Sequence, residues 1–120
     1  MDLVKYREKL QEEVIQPMLE YRRELGKECG YGAFHVLRCK TILCNYLKRL
    51  NRIKVTDENI MSQVRRVVLR LNKLNNTTDG CLIETDGRES IWEIIQTAAI
   101  DCGLNVEDEE EDITMEWREW

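Results

Sequence analysis

Apolar residues recur along this chain every three or four positions, and that spacing constrains the fold more than any other feature. Leu3, Tyr6, Leu10, Val14, Met18, Tyr21 and Leu25 trace one face of a helix. Pro17 lies inside the stripe, removes an amide donor and crowds the preceding turn. A kink near Gln16, or two abutting helices, is therefore expected. Gly26 is placed to end the segment as a left-handed cap. After a loop containing Gly30 and Gly32, the pattern predicts a second helix over 31–51, with Phe34, Leu37, Leu43, Tyr46, Leu47 and Leu50 inward. Residues 52–55 alternate polar and apolar and read as a short extended connector. Thr56 or Asp57 then caps a third helix, whose stripe is Ile60, Val64, Val67, Val68, Leu71 and Leu74.

Asn75 to Gly80 is a turn by composition, and Cys81-Leu82-Ile83 is long enough only for an isolated strand. Asp86 and Glu89 fit a capping box opening a fourth helix. Its inward residues are Ile91, Trp92, Ile94, Ile95, Ala98, Ala99 and Cys102, and Gly103-Leu104 reads as a Schellman ending. The chain has 120 residues, one proline, six glycines and no internal repeat. The expectation is an all-α domain, a compact bundle of about four helices with at most a minor short strand pair. It comprises residues 1–106, followed by an acidic C-terminal tail, 107–120, that belongs to the same domain if it packs. A globule of this length buries about two-thirds of its unfolded surface, so neither a disulfide nor a metal is needed to hold it.

Charge is unevenly spread. The net charge is −5, but residues 38–73 hold ten basic side chains against Asp57 and Glu58, a net +8. Residues 74–120 hold Arg88 and Arg118 against fourteen acids, a net −12. Either the acidic part folds over the basic part, or the two address different partners. The tail opens with six consecutive acids, Glu107 to Asp112, and continues to Trp120. Ile113, Trp117 and Trp120 share a face if it is helical; Ile113, Met115 and Trp117 share one if it is extended. Tryptophans among acids suit docking into a basic, apolar groove of a protein partner or of a second copy. They equally suit packing on the chain's own core, with the acids returning over the basic helices.

Catalytic and cofactor motifs are sparse. His35 and Cys39, four apart, are neighbours on a helix, and an imidazole beside a thiol can generate a nucleophile. No orienting group or oxyanion motif accompanies them, so no catalytic residue is assigned. There is no Cys-x-x-Cys, and one histidine cannot supply the usual zinc pairs, so no metal ligand or cofactor is assigned either. The loop glycines match no phosphate-binding pattern. Five cysteines in an odd set suit free thiols in a reducing compartment. A charged N-terminus and the lack of a long apolar run add the expectation of a cytoplasmic protein that crosses no membrane. The leading functional expectation is a small non-enzymatic partner-binding protein of the inhibitor, antitoxin-like or adaptor kind, acting through Ile113, Trp117 and Trp120. The alternative is a nucleic-acid binder gripping phosphates with Arg49, Arg52, Arg66, Arg70 and Lys73. A Cys/His-dependent enzyme is the third.

Overall fold

The first apolar stripe forms one long helical rod whose middle is widened. A computed structural model describes residues 1–108 and 111–120; Glu109 and Glu110, within the acidic run, lie outside the described residues. Helix α1 (Leu3–Leu10) passes through a π-helical turn (Gln11–Ile15) into α2 (Gln16–Leu25). The Gln16 amide donates to Gln11 O, one residue farther back than in an α-helix. The widened turn directly precedes Pro17, whose ring cannot donate and crowds the carbonyl four residues back, so the chain adjusts there without breaking. The inward face is thereby extended to Ile15, buried beside Val14, while Tyr21 is 41% exposed.

Helices α3 (Ala33–Leu50), α4 (Asp57–Thr77) and α5 (Thr85–Cys102) complete a bundle of four rods, with no strand among the described residues. Helix α3 is central and touches α1, the π turn, α2, α4 and α5. Its buried residues are Val36, Cys39, Ile42, Leu43, Tyr46, Leu47 and Leu50. Phe34 and Leu37, expected inside, are 69% and 60% exposed. Continuing their stripe by threes and fours leads to Thr41 and Lys48, whereas Val36 and Cys39 lead on to Leu43, Tyr46 and Leu50. The longer apolar stripe sets the rotation of the helix. In α4 all six expected apolar residues are buried.

Polar groups tie the rods together where apolar packing alone leaves orientation free. Tyr46 OH donates to Ile95 O of α5 at 2.7 Å, Tyr31 OH to Met18 O at 2.8 Å, and Tyr6 OH to Thr97 O at 3.2 Å. Thr56 caps α4 by accepting from the Asn59 amide. Helix α5 starts one residue before Asp86, with Glu84 at its cap and no side-chain cap bond, so the Asp86–Glu89 box does not form. Its other end is a Schellman turn: Leu104 N donates to Ala99 O and Gly103 N to Ile100 O. Gly103 has φ +125°, and a Cβ there would lie 2.7 Å from Val55 Cγ1. The 81–83 segment is not a strand; Ile83 N donates to Asn75 Oδ1 and Leu82 N to Thr78 Oγ1. Side chains of α4 and its cap satisfy the donors that a neighbouring strand would otherwise take.

Candidate functional site

The basic residues of the middle helices separate into three places. Arg66 and Arg70, one turn apart on α4, lie within electrostatic range of Arg49 near the end of α3. Partial desolvation, then the charges of Arg66 and Arg70, hold the Arg49 guanidinium below its ordinary range. Among the described residues the ion pairs are Lys9–Glu93 at 3.2 Å and Arg118–Asp112 at 2.7 Å. The three arginines thus have no carboxylate within ion-pair distance among those residues. Arg52 lies exposed in the turn beyond α3. Lys73 lines a shallow groove of about 440 Å³ with Asn72, Asn76 and Glu119.

The C-terminal residues adopt hydrogen-bonded turns, neither helix nor strand, and lie against α4 and α5. Asn72 holds the backbone with both ends of its amide: Nδ2 donates to Trp117 O at 2.7 Å, and Oδ1 accepts from Glu119 N at 3.1 Å. Gln96 Oε1 accepts from Ile113 N at 3.1 Å. Thr114 is fully buried, while Ile113, Trp117 and Trp120 are half-buried against the core. Asp112 organises the turn by accepting from Thr114 N and pairing with Arg118, whose guanidinium sits 5.3 Å from the Trp120 ring centre. The segment rests on the flank of α4 marked by Asn72, about 120° and 160° around the helix from Arg66 and Arg70. Its Arg118–Asp112 ion pair is internal to the segment and does not involve Arg49, Arg66 or Arg70. Ile113, Trp117 and Trp120 present only part of each side chain to the outside.

His35 and Cys39 do not form a reactive pair. His35 Nδ1 accepts from the Gly32 amide at 3.0 Å and so closes the start of α3. Cys39 is fully buried, and desolvation pushes its thiol up to about 12, far from the thiolate that nucleophilic attack needs. That same bond occupies the Gly32 amide that a phosphate would use. All five cysteines are free. Among the described residues no group of three or more His, Cys, Asp or Glu side chains could hold a metal ion, and no helix is long and apolar enough to cross a membrane.

Sequence reasoning missed Asn72 and Gln96, the two side chains that seat the tail. Their signal was present as polar positions inside otherwise apolar stripes, beside Leu71 and Ile95. Both are 3% exposed, and a buried amide at such a position demands partners. The chain matches no protein-family model, no curated protein and no solved structure.

Proposed function

We propose that this chain is a non-catalytic binding protein that takes an acidic protein segment against the outer face of α3 and α4, with Arg49, Arg66 and Arg70 as the anion-recognising core. One observation carries the reading: Arg66 and Arg70 both act repulsively on Arg49, with no carboxylate within ion-pair distance among the described residues. Like charges held together raise the free energy of the unbound protein. An incoming carboxylate relieves that repulsion and accepts strong charge-assisted bonds from the planar guanidinium. The exposed Phe34 and Leu37 lie on the same helix, Phe34 about 22 Å along the axis from Arg49. Aromatic and arginine anchors together are typical of protein interfaces.

Nucleic acid is the competing ligand for the same arginines. The net charge of −5 opposes the approach of a long polyanion, and phosphates have no use for Phe34 and Leu37. Fluorescence anisotropy at low salt, with a labelled peptide alternating Glu and Leu and with a labelled single-stranded oligonucleotide, separates the two. The peptide is expected to bind, and Arg49→Gln with Arg66→Gln and Arg70→Gln to weaken it by about tenfold or more. Unchanged peptide binding by the triple variant defeats the proposal. Tighter binding of the oligonucleotide, falling steeply with salt and lost in that variant, assigns the face to nucleic acid instead.

A further inference from the structure

A cleft of about 450 Å³ opens between the π turn and α2 on one side and the α4–α5 connection with the start of α5 on the other. That volume lies within the range of small-ligand sites. Val14, Met18 and Leu82, all buried, give it an apolar floor. Tyr21 forms a wall, its ring stacked on Tyr31 at 6.4 Å between centres and 18° between planes. Glu13, Glu84 and Asp86 stand around it, and no lysine or arginine lines it. None of these three carboxylates has an ion pair among the described residues. Burial first, and then Cys29, Tyr21 and Glu84, push the Tyr31 hydroxyl above its ordinary range, so the Glu84 field reaches the aromatic pair.

We infer that this cleft binds an organic cation, an ammonium or guanidinium group carried on an aliphatic stem. The stem lies on the Met18–Leu82 floor, and the cation sits between the tyrosine ring and the carboxylates. Each part of the lining selects for part of that ligand. Removing a methylene from water strengthens binding by about fourfold, which favours an apolar stem. An aromatic face attracts a cation, and a concave surface of one charge sign concentrates the opposite ion. A bare metal ion does not match, because no three of the acidic or other metal-ligating side chains converge among the described residues. An anion is repelled, and a neutral alcohol leaves the carboxylates unused. The same chemistry is presented by a free alkylamine and by a lysine side chain, and the two are separable by probe. The site is independent of the arginine face.

Amide chemical shifts of the full chain, followed by NMR at low salt, test this with hexylamine and its neutral counterpart hexan-1-ol. Hexylamine is expected to give saturable shifts confined to residues around Tyr21, Tyr31, Glu84 and Gly87, with hexan-1-ol about tenfold weaker or more. Glu84→Gln with Asp86→Asn, both at exposed positions, is expected to cut the preference for the amine severalfold, to what Glu13 and the tyrosine face retain, while leaving hexan-1-ol binding unchanged. That second readout separates loss of the charges from loss of the cleft. A lysine capped at both ends that binds as well as hexylamine identifies a peptide side chain as the ligand; one that binds far more weakly identifies a free amine. Equal affinity for amine and alcohol, or amine shifts that never saturate and spread over all the acidic surfaces, overturns the inference.

Discussion

Four buried polar side chains position the segments that regular helices leave over. Asn72 and Gln96 take the C-terminal residues, and Asn75 and Thr78 take Leu82 and Ile83. Each lies in or beside an apolar stripe, where an unsatisfied amide or hydroxyl costs about 1–3 kcal/mol. Cys39 is the opposite case, a small side chain buried with no polar role. Its thiol is pushed up to about 12 in the fold, against an ordinary 9.0. Above about pH 9 the unfolded chain releases a proton that the folded chain retains. Stability is therefore complete below pH 9 and falls as pH rises toward 12, with a slope approaching about 1.4 kcal/mol per pH unit. Tyr46, also fully buried and held above its ordinary range, acts in the same direction at higher pH. Urea unfolding across this window should show a shallower decline for Cys39→Ala between about pH 9 and pH 10. Parallel curves for the two proteins would show that Cys39 does not drive it.

At the scale of elements, the C-terminal segment contributes by contact that belongs to no helix. Its three apolar anchors cover the core, and its backbone is held by Asn72 and Gln96. Deleting residues 113–120 exposes that area, strands the buried Asn72 amide and removes the Ile113 bond to Gln96. The expected loss is about 3 kcal/mol, or on the order of 10 °C in melting temperature. Asn72→Ala, which removes two of the bonds, should lose about half as much and speed hydrogen exchange at the Glu119 amide. A truncated chain that melts like the full one would mean that the contacts add no stability. Elsewhere elements respond to one another: the π turn before Pro17 lets α1 and α2 remain one rod along α3.

Across the whole molecule, charge is separated more than it is paired. The 38–73 stretch is strongly basic and the remainder acidic, yet the ion pairs among the described residues bring no arginine of α3 or α4 to an acid. Among the described residues, no carboxylate within ion-pair distance offsets the short-range repulsion at the arginine trio. Replacing one member, Arg70→Gln, should raise stability at low salt by a few tenths of a kcal/mol to about 1 kcal/mol. The gain should shrink as salt rises, since the Debye length falls from about 20 Å at 20 mM to about 7 Å at 200 mM. Calorimetry of both proteins at the two salt concentrations checks this. A variant less stable than the parent at low salt would mean that attraction to the distant acids outweighs local repulsion.

Helix identity and number were legible in the sequence, because a stripe at intervals of three and four needs only local geometry and an apolar interior to form. The α4 core and the Gly103–Leu104 ending were legible for the same reason. Rotation of α3 was harder: two apolar stripes compete at its start, and only packing against five neighbouring elements decided that Val36 and Cys39 turn inward while Phe34 and Leu37 face out. The basic residues were visible, but which of them meet was not. Arg49 joins Arg66 and Arg70 because α3 and α4 lie side by side, whereas Arg52 is carried into the turn and Lys73 to another groove. The tail pattern fitted helix and strand equally, since the spacing of two tryptophans and an isoleucine does not fix where the backbone's hydrogen bonds go. Asn72 and Gln96 supply partners for them from helices distant in sequence, so the shape of the C-terminal segment is a property of the assembled bundle.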